Sequence, residues 1–137
     1  MTIITDSSFI YALYNQKDSH HHQAMTFAST YTGGSAVPDV ILPEIGYLFA
    51  RDFGYHGVQK FLAKFKQFNG RLEPLDWEDL ARVHEISVAY ASAEFDLVDC
   101  CIMALAERLN IVQVATFDRR DFSIYRPRHC DYLELLP

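Results

Sequence analysis

Sulfur is scarce in this chain: only three of its 137 residues are cysteine. Cys100 and Cys101 are adjacent, a poor geometry for bridging each other, and Cys130 lies far along the chain. The count is odd and no C-x-x-C spacing occurs. Neither a disulfide framework nor a cysteine zinc site is expected, and a reducing cytoplasm is the expected setting. Long apolar runs are missing too. None approaches the roughly 18 residues of a membrane span, so no membrane association is expected. The opening, Met1-Thr2-Ile3-Ile4-Thr5-Asp6, lacks the basic region and apolar stretch of a secretory signal. Bases are outnumbered, 12 Lys and Arg against 18 Asp and Glu, for a net charge of −6 with histidine neutral. That balance argues against a protein that coats nucleic acid nonspecifically. It leaves room for an enzyme whose acids gather around metal ions, because a bound cation inverts the local charge. No repeat, linker or low-complexity segment interrupts the chain. Half the residues are apolar and 22% are charged, which suits one globular domain over 1–137.

Within that domain, strand and helix patterns alternate. Residues 2–5 are short and β-branched, as in a buried strand. Helical spacing follows over 8–14 and again over 19–31, ending before Gly33-Gly34. Ala36 and Val37 suit a short strand. Residues 40–49 read as a helix with Pro43 at its first position or within its first turns, so Glu44 lies near a helix start. Residues 59–68 form a basic amphipathic helix, with Phe61, Phe65 and Phe68 in one row and Lys60 and Lys64 on another face. Strands are expected at 71–75, 111–117 and 132–136. Asp76 reads as the cap of a helix over 77–92, and another helix spans 96–110. The alternation predicts an α/β sandwich around a mostly parallel sheet, whose ligands bind at the carboxyl ends of the strands.

That rule draws four acids together. Asp6 follows the first strand and Asp118 closely follows a later one. Asp99 lies in the first turn of the helix feeding that later strand, and Glu44 near another helix start. Clustered carboxylates repel one another, and burying them is costly unless they are neutralised. No lysine or arginine is placed to do so. A hard divalent cation such as Mg²⁺ fits, since it takes oxygen ligands and keeps several waters. Its natural chemistry is hydrolysis of a phosphodiester. Each acid also has a plainer explanation as a turn former or helix cap, and for Asp96 the cap is preferred.

The motifs resemble a known family. Asp6-Ser7-Ser8-Phe9-Ile10 after an apolar strand is similar to the opening of PIN-domain nucleases, as is Pro43-Glu44 ahead of an apolar helix. Leu97-Val98-Asp99, then Ala104-Leu105-Ala106-Glu107-Arg108-Leu109, then Val114-Ala115-Thr116-Phe117-Asp118-Arg119-Arg120-Asp121-Phe122 resembles VapC-type toxins of toxin–antitoxin pairs. The resemblance covers nearly the whole chain. It implies a three-layer α/β/α PIN fold, Mg²⁺ or Mn²⁺ dependence, endoribonuclease activity, homodimerisation and a small cognate antitoxin. By position it implies Asp6 and Asp99 as metal ligands, and Asp118 completing the site directly or through water. Glu44 is implied as a further ligand or as the group orienting the attacking water. Thr116, and with it Ser7, would brace a carboxylate from behind. Cys100 stands where the family often has another small residue. Asp96 stands where related sequences often have glycine and is not carried over.

Other features have competing explanations. His20-His21-His22 cannot share one helix face and reads as an exposed helix start. Arg119 and Arg120 suit an RNA phosphate contact or, equally, a solvated turn paired with Asp121. Nineteen aromatic residues exceed the needs of a small core, so some are candidates for a dimer or antitoxin surface. A haloacid-dehalogenase-like phosphatase needs a second aspartate where Ser8 stands, and a receiver domain needs an acidic neighbour for Asp6. Two alternatives to the toxin remain: a stand-alone PIN nuclease of RNA processing, and a non-catalytic binding module whose acids are only caps.

Overall fold

The computed structural model describes residues 1–137. Five strands, β1 (Thr2–Thr5), β2 (Gly34–Pro38), β3 (Arg71–Glu73), β4 (Gln113–Ala115) and β5 (Glu134–Leu136), form one sheet in the order β3-β2-β1-β4-β5. Every pairing is parallel. Parallel neighbours need crossover connections, and six helices supply them. They are α1 (Ser7–Tyr14), α2 (His21–Thr30), α3 (Ile41–Phe65), α4 (Trp77–Ala89), α5 (Leu97–Arg108) and α6 (Arg120–Ile124). The chain moves outward from β1 to β3, then crosses back to β4 on the other side of β1. Right-handed crossovers therefore put α1–α3 on one face and α4–α6 on the other. The helices pack accordingly, α1 with α2 and α3, and α5 with α4 and α6. This is the α/β sandwich expected from the alternation, in the three layers that the resemblance implies, and its sheet is wholly parallel.

Burial explains the local choices. Ile3 and Ile4 of β1 and Val114 of β4 lie in the centre of the sheet, covered from both sides. Helix α5 is buried from Asp99 through Ala106, so it is apolar around its whole circumference rather than along one stripe. Cys100 and Cys101 belong to this core as free thiols, and burial pushes Cys100 up to about 11. Asp76 caps α4 in a reciprocal capping box with Asp79, whose carboxylate also binds Arg108 at 2.9 Å. Phe49, Phe61 and Phe65 stack in series at 4.9 Å, with Tyr14 edge-on to the last two. Tyr47 and Phe53 remain exposed. No helix is long and apolar enough to cross a membrane.

Several boundaries differ from the sequence reading. The helices expected over 40–49 and 59–68 abut in α3, broken at Gly54 with φ 74° and ψ −178°, a region open essentially to glycine. The helix expected to reach residue 92 stops at Ala89 and continues as a 3₁₀ turn, Ala91–Ala93. The polar stretch after Asp118 contains a helix, α6, that no periodicity announced. Asp96 occupies the N-cap position of α5, but its side chain makes no capping bond. Its exposed carboxylate is left to solvent, and Asp121 binds its backbone N–H instead.

Candidate active site

The register of the two central strands builds the site. Thr5 of β1 lies opposite Ala115 of β4, so the next residues, Asp6 and Thr116, emerge side by side at the carboxyl edge. Here the crossovers diverge to opposite faces, the place where such sheets open a crevice. Asp6 is still tied to the sheet, its N–H bonding Ala115 O at 3.0 Å, while its side chain caps α1 by accepting from the Ser7 N–H at 2.7 Å. The other carboxylate oxygen accepts from Thr116 Oγ1 at 2.7 Å and Ser8 Oγ at 3.0 Å. Ser8 Oγ in turn accepts the Phe117 N–H at 2.9 Å, and Thr116 Oγ1 accepts the Asp118 N–H at 3.0 Å. Two hydroxyls thus link both strand ends around one carboxylate that is 2% exposed.

Burial raises the Asp6 carboxyl above its ordinary value, against the pull of these hydrogen bonds, and the nearby Glu44 charge raises it further. Glu44 stands in the first turn of α3, half-buried, and accepts a hydrogen bond from Ser7 Oγ. Asp99 enters from the opposite face, in the first turn of buried α5. Burial, a hydrogen bond to Asp121 and the charge of Asp6 together push its carboxyl up to about 9. Asp121 goes the other way. Burial alone would raise it, but the bonds from Asp99, the Asp96 N–H and Arg120 hold it below its usual range.

The sequence-predicted residues therefore fall into two groups. Asp6, Glu44 and Asp99 converge with Ser7 and Thr116 around the strand ends. Asp118 has its backbone anchored to Thr116 and its carboxylate exposed at the rim. Arg119 bonds the Pro137 carbonyl. Arg120 divides its guanidinium between Asp121 at 2.7 Å and the Ala93 carbonyl at 2.8 Å, and both arginines remain substantially exposed. Lys60 and Lys64 lie elsewhere, lining a cavity of about 370 Å³ with Lys17, His56 and Phe53. His21 turns inward to the Ala12 carbonyl, while His20 and His22 are exposed. Two participants escaped sequence reasoning. Ser8 was legible only as the second hydroxyl after Asp6. Asp121 was legible only as an ion partner for its neighbouring arginine.

The donor set decides what could sit here. None of the protein's ion pairs includes Asp6, Glu44, Asp99 or Asp118. Every donor is a hard oxygen. No three His, Cys, Asp or Glu side chains enclose a metal ion by themselves. An ion that keeps part of its water shell and takes a few carboxylates fits such an open arrangement, and Mg²⁺ and Mn²⁺ have that character.

Known proteins share this fold. The PIN domain family model matches residues 3–126. VapC20 of Mycobacterium tuberculosis, a sarcin–ricin loop cleaving toxin, has a similar structure. It superposes with a TM-score of 0.82 at 20% identity, covering 98% of this chain and 99% of that one. VapBC2 of Rickettsia felis, whose structure holds a DNA fragment of its promoter, matches with a TM-score of 0.70 at 16% identity, covering 98% and 97%. Among curated proteins no sequence matches. PIN-domain nucleases generally use divalent metal ions, as the donor set here would suit. The model spans nearly the whole chain, including both strand ends and the acids they carry, and the chain belongs to the PIN domain family.

Proposed function

We propose that this protein is a Mg²⁺- or Mn²⁺-dependent endoribonuclease and the toxin of a VapBC-type toxin–antitoxin pair. The observation that carries the reading is the convergence of Asp6 and Asp99, buried from opposite faces of the sheet with no cationic side chain to neutralise them. Similarity to a toxin that cleaves an RNA loop and to a VapBC complex supports the substrate class and the biological role. A small antitoxin, a homodimer and a cytoplasmic setting belong to the same proposal.

Asp6 and Asp99 would hold the metal, with Glu44 and Asp118 completing the site directly or through water. Bound there, the ion would supply Lewis-acid activation of a water and of the phosphoryl oxygen. Ser7, Ser8 and Thr116 keep the Asp6 carboxylate in one orientation, and Ser7 also positions Glu44 to direct the attacking water. Asp121 orients Asp99. Arg119, exposed beside Asp118, would meet the phosphate backbone, whereas Arg120 is engaged by Asp121 and the Ala93 carbonyl. Water as nucleophile has no need of the 2′-hydroxyl, so products should carry a 5′-phosphate and a 3′-hydroxyl.

The test is cleavage of total cellular RNA with Mg²⁺ or Mn²⁺, beside EDTA and the Asp99→Asn variant. Discrete fragments with 5′-phosphates that vanish in both controls are expected. Cyclic-phosphate ends, or no cleavage by folded, antitoxin-free protein, would overturn the reading. Growth arrest on expression that Asp6→Asn abolishes would identify the toxin and set it apart from a housekeeping nuclease.

A further inference from the structure

We propose that His20 and Phe117 form a stacking shelf that holds an unpaired RNA base beside the carboxylate site. The inference rests on the nuclease reading above and names how its substrate is gripped. Three rings lie in series, running outward from the core. Phe9, 3% exposed, packs edge-on against Phe27 at 5.7 Å and lies offset-parallel to Phe117 at 6.2 Å and 26°. His20 covers Phe117 at 4.3 Å and 14°, close to a face-to-face stack. The series ends there, with the His20 side chain 49% exposed.

Both members are held in place. The Phe117 N–H binds Ser8 Oγ, the same hydroxyl that donates to Asp6, and Phe117 directly precedes Asp118. The shelf is therefore built on the hydrogen-bond network that orients the acids. The His20 N–H donates to Asp18 Oδ1 at 2.8 Å, and the ring Nδ1 lies 3.6 Å from the same oxygen. An exposed ring held through its backbone and by its stack on Phe117 loses little freedom when a second ring covers it.

A nucleobase is the occupant that fits. Proteins that bind single-stranded RNA stack splayed bases on aromatic side chains, histidine included. This chain carries a net charge of −6, so nonspecific phosphate attraction is weak and a base contact adds grip on the strand. A base seated on His20 would anchor a nucleotide next to the bond presented to Asp6 and Asp99.

The experiment uses a short random-sequence single-stranded RNA carrying 2-aminopurine, whose fluorescence is quenched by stacking. It is titrated into Asp6→Asn protein in Mg²⁺, so that binding is read without cleavage. His20→Ala should weaken binding about tenfold and abolish the quench, whereas His20→Phe should restore both. Unfolding midpoints check that each variant is folded. Equal binding by all three forms, or a loss in His20→Phe as large as in His20→Ala, would overturn the shelf. If wild-type protein cleaves RNA while the His20 variants bind it unchanged, only the shelf falls. If wild-type protein neither binds nor cleaves RNA, the nuclease reading falls and takes the shelf with it.

Discussion

Asp99 concentrates the tension of the site. It sits in the first turn of a helix with no wet face, within the field of Asp6 and against Asp121, and its carboxyl rises to about 9. A raised carboxyl means that the folded chain keeps a proton the unfolded chain releases. Stability from this group is full below the ordinary value of 3.8 and is lost as pH climbs towards about 9. In EDTA the protein should therefore weaken across that window, and Mg²⁺ or Mn²⁺ should reverse the loss. Asp99→Asn makes the group permanently neutral and keeps its shape. It should raise metal-free stability at pH 8 by about 1 kcal/mol, abolish the metal-dependent gain and cut cleavage about 100-fold or more. Chemical unfolding at several pH values, with and without metal, reads the first two effects. An aspartate acting only as a cap would show neither, because cap bonds favour the charged form and lose strength when it is removed.

At the scale of elements, the layer of α4–α6 is clamped by one carboxylate. Glu107 near the end of α5 accepts Arg82 Nε from α4 at 2.7 Å, the Arg128 N–H at 2.9 Å and the Tyr125 hydroxyl. Burial would raise Glu107, but these bonds win and its carboxyl lies below the ordinary 4.5. The sign here is opposite to that of Asp99. The clamp contributes fully above 4.5 and is lost as pH falls through the lower folded-state value. Glu107→Gln should cost about 1–3 kcal/mol at pH 7, by taking from half-buried Arg82 its bidentate partner and leaving it only exposed Glu85 at 3.6 Å, and should flatten the acid limb of the stability profile. Urea unfolding at pH 7 and at pH 4 checks both. The other helical layer bends where α3 reaches Gly54, whose positive φ turns Phe49 and Phe61 into stacking distance.

For the whole molecule, sheet order sets both the active edge and the stable centre. β1 is flanked by β2 and β4, whereas β3 and β5 are three-residue edge strands. Amide exchange should be slowest at Ile3, Ile4 and Val114 and clearly faster at Leu72 and Leu135, because edges open without global unfolding. Metal should slow exchange at Asp6, Thr116 and the first turn of α5 most. Uniform protection across all five strands would contradict this division.

The sequence by itself determined the features written in local pattern. Alternating strand and helix periods specified the α/β sandwich. The positions of Asp6 after a β-branched run and of Glu44 and Asp99 in first helical turns followed from punctuation within a few residues. Asp76 announced its capping box in the same way. Only the tertiary structure decided what depends on which strands are neighbours. Because β1 lies beside β4, Ser8 reaches Phe117 and Thr116 reaches Asp6 across more than 100 residues of chain. The same juxtaposition lays His20 on Phe117. Packing of α5 against α6 brings Asp121 to Asp99 and draws Arg120 back onto it, a pairing that sequence left even with a phosphate contact. Local propensity encodes an element and its ends. It carries no record of the distant backbone that a buried hydroxyl or carboxylate will meet, since that partner is chosen by the free energy of the assembled core.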